Sequence, residues 1–285
     1  DTFEAARYAL YKMGIKMSYD DKRAIFTSSF GQKNTLSNVY TQECNGLILE
    51  KGTWKPLMVP PRSLCSNIDT VMSNKFLYQK LYHIYKAEDG TCFNLYWYND
   101  KWNISTARGY EMNDVKWNNK TYHELIIDCL SNSKSLTWEE FTNQLSKKSC
   151  YSFGFKHPDF HRFVESPTKR YKIWFIQSVN LDSNDKRYLW ASDQTPISTI
   201  TSQEYCTDRV NSLKDLFTAS VQALDNYIDD NNNVCYGFIL RSSNSEITGM
   251  HSDLFIESSL MRMIRHIWYD NTIINKCRQN DWNKD

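Results

Sequence analysis

The sequence has 285 residues, enough for one large domain or two small ones with a buried hydrophobic core. Its 41% hydrophobic and 24% charged residues are the proportions of an ordinary globular protein. The net charge of +1 argues against a protein that coats nucleic acid by charge alone. No run of residues is long and apolar enough to span a bilayer, so we expect no membrane partner.

The eight cysteines are scattered and form no C-x-x-C pair, which argues against a zinc ribbon. Most lie within apolar stretches, which predicts buried thiols in a reducing compartment such as the cytoplasm. His157 and His161 are four residues apart, but Pro158 interrupts any helix between them. We therefore predict no metal site.

The predicted elements of the first half begin with a helix over residues 3–13. Two strands at 42–49 and 54–59 form a hairpin, and a helix follows at 70–81. The clearest local signal is a second hairpin, in which strands at 92–98 and 102–106 flank the turn pair Asn99-Asp100.

In the second half, Thr137 and Glu140 have the spacing of a capping box at the start of a helix. This mixed order of elements predicts an α+β protein. The elements are helices at 121–131, 137–147, 205–229 and 260–277 and strands at 151–157, 171–179 and 234–241.

One segment carries a distinctive pattern: Tyr85 to Thr91 reads YKAEDGT, and after the hairpin Ser105 to Gly109 reads STARG. The pattern resembles the first motif, K-x-D-G, of the covalent nucleotidyltransferases, which are ligases and mRNA capping enzymes. In that motif the lysine attacks the α-phosphate of a nucleotide, because a desolvated amine near other cations can be neutral and nucleophilic. The Asp-Gly turn lets the backbone approach the nucleotide closely.

Four further segments, one before this motif and three after it, occur in the order expected of the phage-T4-type RNA ligase family. The resemblance implies an ATP-grasp-like ligase adenylation (nucleotidyltransferase) fold, with mixed and antiparallel sheets flanked by helices. It implies a domain over residues 41–270, preceded by a helical or extended segment at 1–40 and followed by a tail at 271–285. The segments are similar to the "RG" strand (Glu43–Leu49), the F-E-F segment (Tyr151–Val164), the E-G-x-V strand (Tyr236–Leu240) and the K-x-K-S strand (Phe255–Ser258).

The departures from the family pattern all fall on residues that do the chemistry. Counting back from Asp89-Gly90, the nucleophile position is Ala87, and Lys86 lies one residue early. A shift of one residue on a strand changes the face, so Lys86 serves only if a bulge re-aims it. We therefore predict no catalytic residue, with Lys86 as the nucleophile of the alternative, active reading.

The remaining departures remove charge that the family uses to hold the nucleotide. Gly154 and Tyr236 stand where the resemblance places glutamates that hold sugar hydroxyls or metal. Phe255 and Glu257 replace lysines that neutralise phosphates, a large electrostatic contribution. The sequence thus predicts a pseudoenzyme without a cofactor.

An altered pocket rich in aromatic rings and an acid suits a flat or cationic base, such as the methylated guanine of an mRNA cap, or a stacked RNA end. Structural interpretations without a ligand stay open for these residues. Phe255 can be plain core, Tyr236 can face solvent, and Arg108 can be a surface ion-pair partner. Lys86 can be a solvated surface lysine, and Arg262 and Arg265 can lie on a solvated basic face. The candidate nucleotide- or cap-binding residues are Ala87, Asp89, Gly90, Arg108, Phe153, Phe155, Tyr236, Phe255 and Glu257, and the candidate RNA contacts are Arg62, Arg262 and Arg265.

The leading hypothesis is a non-catalytic protein, in a viral or other cytoplasmic setting, that binds RNA or a nucleotide and has a possible protein partner. Two alternatives remain. One is an active RNA ligase that uses Lys86, ATP and Mg²⁺. The other is a scaffold protein without a ligand.

Overall fold

The structure is a computed structural model. It describes residues 2–28, 44–61, 82–88, 90–117, 119–159, 171–182, 188–190, 196–201, 205–210, 237–242 and 254–257. Some strand residues in these ranges are described by their backbone alone. The predicted helices at 70–81 and 260–277 and the tail at 271–285 lie outside these ranges.

An N-terminal sheet of four antiparallel strands has the order β1-β2-β3-β4. A helix packs on β1 through Leu10, Ile15 and Met17, because their apolar side chains all face the same small core. The helix and the predicted hairpin are confirmed, whereas β1 and β2 had no sequence prediction. The elements are α1 (Thr2–Lys12), β1 (Ile15–Tyr19), β2 (Arg23–Ser28), β3 (Leu47–Glu50) and β4 (Pro56–Met58).

The central sheet has five strands in the order β12-β11-β10-β6-β7. Its hairpin turns at Asn99 (φ 51°) and Asp100 (φ 56°), both with the positive φ that a tight two-residue turn requires. This confirms the predicted hairpin and its turn. The strands are β6 (Thr91–Tyr98), β7 (Lys101–Ser105), β10 (Ser149–Lys156), β11 (Lys172–Asn180) and β12 (Tyr188–Trp190).

Two helices cover one face of the central sheet. Each begins with a capping box, in which Thr121 and Glu124, or Thr137 and Glu140, satisfy each other's backbone N–H. The helices are α2 (Tyr122–Lys134) and α3 (Trp138–Thr142), the latter shorter than predicted, and a two-stranded ribbon, β8 (Lys116–Trp117) and β9 (Lys120–Thr121), leads into α2.

The main core lies between these helices and the central sheet. Phe93 and Leu95 of β6 face the helices, as the alternation of the strand predicts. The opposite face of β6, with Tyr96, packs against the N-terminal sheet through Ile25 and Ile48. The central sheet is therefore buried on both faces.

A third sheet has the order β13-β5-β14-β15 and is antiparallel throughout. The predicted helix over 205–229 is wrong at its start, because 205–210 is strand β13; the rest of that range lies outside the described residues. Pairing with β5 over three positions overrides the helical periodicity there. The strands are β5 (Tyr82–Ala87), β13 (Tyr205–Val210), β14 (Gly237–Ser242) and β15 (Leu254–Glu257).

The predicted boundary after residue 40 separates two strands that the structure joins. β2 and β3 pair over four residues, from Arg23 with Glu50 to Phe26 with Leu47. The described part of residues 1–40 is thus built into the same sheet as residues 47–58.

Candidate functional site

Three strands of the third sheet bring three of the candidate segments into one row. Ala87 on β5 is the Cα partner of Gly237 on β14, which in turn is the partner of Glu257 on β15. Tyr85, Ile239 and Phe255 form the next row. Ala87 and Tyr85 are both buried, so these two positions of β5 are shielded from bulk water.

The register of β5 bears on Lys86. The pairing of β5 with β14 runs from Ala87 to Tyr82 without a register shift, with Lys86 opposite Phe238. An irregularity in the pairing with β13 falls between Cys206 and Val210, away from Lys86. The ladder with β14 therefore lacks the bulge on which the active interpretation of Lys86 depends.

The chain leaves β5 and enters the central sheet through a short connection. Glu88 forms an ion pair with Lys172 at the start of β11, with Oε1 and Nζ 2.5 Å apart. Gly90 follows, and a Cβ atom there would lie 2.5 Å from the Phe155 carbonyl oxygen. Gly90 is required because the backbone of β10 comes this close.

A tryptophan fills the space beside Gly154. Gly154 and Trp174 are directly opposed on β10 and β11. A Cβ atom on Gly154 would lie 2.1 Å from Cζ2 of the Trp174 indole, and one on Gly90 would lie 2.5 Å from its Cη2. The indole is 3% exposed. The side-chain space at Gly154 is thus occupied, and a carboxylate has no room there while the indole stays in place.

Next to this contact a polar row crosses four strands of the central sheet, formed by residues directly opposed on neighbouring strands: Ser105, Asn94, Ser152 and Gln177. All four are buried. Ser152 donates to Asn94 Oδ1 at 2.8 Å, and Gln177 donates to the Val59 carbonyl at 3.2 Å. Within the part of the chain that the structure describes, the Ser105 hydroxyl has no hydrogen-bond partner. Such a group is an unfilled donor and acceptor.

Two of the resembling segments touch each other. Gly46, with φ 103°, lies so close to the loop after β7 that a Cβ atom would be 3.0 Å from Ala107 Cα. In that loop the Arg108 N–H donates to Thr106 Oγ1 at 3.3 Å. The Arg108 side chain is exposed and has interactions of its own. The upstream glycine and the STARG loop are therefore neighbours.

The structure corrects the predicted aromatic pocket at two positions. Phe153 and Phe155 face the helices in the main core, 0% and 2% exposed. The Phe153 ring packs against four other rings, at centroid distances of 5.3 to 6.3 Å. Strand alternation puts them on the opposite face from Gly154, so they build the core and do not line the site.

Several candidates fall outside the described residues: Arg62, Asp89, Tyr236, Arg262 and Arg265. For Lys86, Phe255 and Glu257 the structure describes the backbone only. Of the predicted set, the structure therefore brings Ala87, Gly90 and the backbones of Phe255 and Glu257 into one region, and it places Arg108 in the loop beside Gly46.

Trp174 and the polar row were not predicted from the sequence. A signal for both existed in β10, which reads S-F-G-F, so small residues alternate with rings. A glycine between two core phenylalanines on a strand indicates that another group occupies its face. Which group does so depends on the pairing with β11, which the sequence alone does not specify.

No group of three or more His, Cys, Asp and Glu side chains able to hold a metal occurs among the residues placed by the structure. His157 is held by Asp128, with Nε2 and Oδ2 3.2 Å apart, and Lys120 pairs with the same carboxylate at 2.6 Å. Burial raises the pKa of Asp128, but the hydrogen bonds from Lys120 and His157 outweigh it and hold that pKa below the ordinary value. These contacts connect His157, just after the end of β10, to Asp128 of α2.

Comparison with known proteins identifies viral relatives. The chain is 26% identical over 254 residues, 81% of its length, to a protein named "Putative RNA-ligase" of African swine fever virus (strain Badajoz 1971 Vero-adapted). It is 28% identical over 131 residues, 46% of its length, to an "Immediate-early protein ICP-46 homolog" of Invertebrate iridescent virus 3. The chain covers 56% of the first relative and 29% of the second, so it spans about half or less of each. No family model matches the sequence.

Solved structures show the same fold. The chain matches a "Putative ATP-dependent DNA ligase from Aquifex aeolicus" with a TM-score of 0.54 and 10% identity, over 90% of this chain and 62% of that one. An archaeal ATP-dependent RNA ligase matches with a TM-score of 0.54 and 9% identity, over 90% and 61%. The predicted ligase nucleotidyltransferase fold and its α+β class are thereby confirmed. No helix in the described ranges is long and apolar enough to cross a membrane.

Proposed function

We propose that this RNA-ligase-like chain, which has the nucleotidyltransferase fold of ATP-dependent ligases, binds a nucleotide or an RNA end without forming a covalent intermediate. The contact of Trp174 with Gly154 carries the proposal, because the indole fills the space in which the resemblance places a glutamate. Ala87 supports it, since a methyl group cannot act as a nucleophile.

A metal-bound ATP does not fit the residues at this place. The resemblance expects a carboxylate at position 154, and the residue there is glycine with an indole packed on it. ATP and Mg²⁺ therefore have no part in the proposed function. The polar row offers other chemistry, since the unpaired Ser105 hydroxyl can donate to or accept from the edge of a base once the ligand has entered.

We propose that Trp174 stacks on the base, the role that the sequence predicts for Phe153 and Phe155. An indole has a π face on which a base stacks, and such stacking contributes about 1–3 kcal/mol per base. We propose that the ligand enters by displacing the indole from the two glycines, so that the ring then packs on the base. An mRNA cap and an uncapped RNA end are both ligands of this chemistry.

We also propose that the protein is of viral origin and acts in a reducing compartment. Its support is the viral origin of the relatives and the two buried cysteines Cys129 and Cys150, neither of which is in a disulfide. Burial raises the pKa of the Cys129 and Cys150 thiols to about 12, which makes them inert.

A second candidate is an active ligase that uses Lys86. The name of the relatives from African swine fever virus favours it. The regular pairing of β5 with β14 counts against it.

Incubation with α-labelled ATP or GTP and Mg²⁺ separates the two functions. We expect no labelled protein after denaturation. A labelled band that disappears in Lys86→Ala would establish the ligase and end the non-catalytic proposal.

Equilibrium binding tests the ligand. We expect cap analogue, GTP or a 5′-phosphorylated RNA to change the tryptophan fluorescence, and the change to be lost in Trp174→Phe but kept in Trp97→Phe, whose ring lies on the helix side of the sheet. A stronger response to cap analogue than to GTP identifies the cap as the ligand. The absence of any response would leave the scaffold function standing.

A further inference from the structure

Four large aromatic side chains are exposed on the N-terminal sheet and its helix. Tyr8 and Tyr11 on α1 are 61% and 70% exposed, Tyr19 at the end of β1 is 41% exposed, and Trp54 in the turn between β3 and β4 is 45% exposed. Tyr8 and Tyr11 are three residues apart, so they lie on one side of α1. We name these four rings the aromatic strip.

Cations are interleaved with the rings. Lys12 Nζ lies 4.5 Å from the centre of the Tyr8 ring. Tyr19 lies between two cations, with Arg7 Cζ at 5.9 Å and Lys51 Nζ at 4.8 Å. Because Arg7 belongs to α1 and Lys51 to the β3–β4 turn, the Tyr19 contacts join the helix end of the strip to the turn that holds Trp54.

Trp54 adopts a backbone conformation that is costly for its residue type. Its φ is 57°, in the left-handed region that bulky side chains rarely enter. Its N–H donates to the Glu50 carbonyl at 2.8 Å, which holds the turn in this form. The residue keeps this conformation although its side chain is 45% exposed, and retained strain of this kind is typical of functional positions.

The charge around the strip is positive, whereas the whole chain is close to neutral. Residues 2–28 and 44–61 hold seven Lys and Arg against four Asp and Glu, compared with 34 against 33 in the full sequence. Two of the four acids are engaged locally, Glu4 with Arg7 at 3.4 Å and Asp20 with Arg23 at 2.9 Å. A surface of rings with cations between them matches bases with phosphates between them.

We infer that the aromatic strip binds single-stranded RNA, with bases stacked on the tyrosine and tryptophan rings and phosphates beside Arg7, Lys12 and Lys51. The choice of RNA over DNA rests on the proposed function. The surface itself is distinct from the Gly154–Trp174 site and lies on a different sheet.

The test is fluorescence anisotropy of a labelled oligouridylate of about 15 nucleotides, long enough to span several stacking rings. The full chain is compared with two double variants, Tyr8→Ser/Tyr11→Ser and Lys12→Gln/Lys51→Gln. Each is expected to weaken binding about tenfold, and the lysine variant to flatten the salt dependence as well. All four side chains lie outside the cores, so circular dichroism should show an unchanged fold.

Lys147→Gln is the matched control, because Lys147 Nζ lies 4.0 Å from the Trp97 ring, outside the strip. It should leave the affinity unchanged. Equal affinity in the parent and both double variants overturns the inference. So does equal binding of an RNA duplex, or binding to phosphatidylserine vesicles without binding to the oligonucleotide. Nucleotide-induced tryptophan fluorescence, measured in parallel, reports on the central site, so the failure of one proposal is distinguishable from the failure of the other.

Discussion

The Gly154–Trp174 contact is a pairing of the smallest side chain with the largest on neighbouring strands. The indole also lies against Gly90, so a single ring uses the space left by two glycines. The backbone of Gly154 has no positive φ, and its requirement for glycine is therefore purely steric. The same ring that stabilises the sheet also keeps any larger side chain out of the site.

Gly154→Ala should be destabilising in proportion to this steric conflict. The added methyl group would meet Cζ2 of Trp174 at 2.1 Å, and overpacking of this kind costs about 1–3 kcal/mol. The free energy of unfolding, from urea titration followed by far-ultraviolet circular dichroism, checks it. In a Trp174→Ala background the same substitution should cost less than in the parent. Additive effects of the two substitutions would contradict the contact.

At the scale of elements, a buried arginine fastens the first strand pair to the central sheet. Arg23, at the start of β2, pairs with Asp20 and Glu111 at 2.9 Å each and donates to the Tyr96 hydroxyl at 3.0 Å. Its guanidinium also lies 4.9 Å from the centre of the Tyr110 ring. Burial raises the pKa of Tyr96 to about 12, so the phenol stays protonated and can donate to the Tyr110 carbonyl.

Arg23→Met should lower the free energy of unfolding at neutral pH by about 2–4 kcal/mol, because it removes the buried guanidinium that donates to the Tyr96 hydroxyl, Asp20 and Glu111. Lys148→Met, which breaks the exposed pair with Asp182, is the control and should cost much less, because solvent screens an exposed ion pair. Urea titration at pH 7 provides both values. Equal effects in the two variants would show that the Arg23 cluster does not hold the sheets together.

The Arg23 cluster also predicts that the free energy of unfolding depends on pH. Hydrogen bonds from Arg23 and Lys101 hold the pKa of Glu111 below its ordinary value, although burial acts in the other direction. A carboxyl group with a depressed pKa stabilises the fold above its unfolded pKa, and this stability is lost as pH falls through the folded pKa. Unfolding free energies at pH 7 and at about pH 3 should therefore differ less in Glu111→Gln than in the parent. An identical difference would contradict the argument.

At the scale of the whole molecule, the N-terminal sheet is one wall of the central core. Ile25, Ile48 and Met58 pack against Tyr96 and Cys150 of the central sheet. The polar row is joined to the same wall, since Gln177 donates to the carbonyl of Val59. The described part of the first 40 residues therefore packs on the same face of the central sheet as the polar row.

Removal of residues 1–40 should abolish cooperative unfolding, because it deletes β1 and β2, bares an edge of β3 and exposes one face of the central sheet. Removal of residues 1–12 alone takes away α1 and should leave a cooperative transition. Thermal melting and size-exclusion chromatography compare the two. A folded, monomeric protein after the longer deletion would mean that the segment is a separate unit.

The sequence by itself determined which faces of β6 are buried, where its hairpin turns and which fold the chain adopts. Alternation in β6 assigned Phe93 and Leu95 to one face and Tyr96 to the other, and Asn99-Asp100 placed the turn, because both signals act between near neighbours. The order of motifs led to the ligase fold, which the solved structures confirm. The resemblance also predicts Ala87 at the nucleophile position, and β5 pairs with β14 from Ala87 to Tyr82 without a register shift.

Only the tertiary structure decided what occupies the site. Phe153 and Phe155 looked like pocket residues beside Gly154, but one-residue alternation turns them into the helix-side core, and the opposing strand supplies Trp174 in their place. Likewise 205–210 became a strand through its pairing with β5. Pairing between strands far apart in sequence depends on which edges meet when the core closes, and residue order alone does not specify that choice.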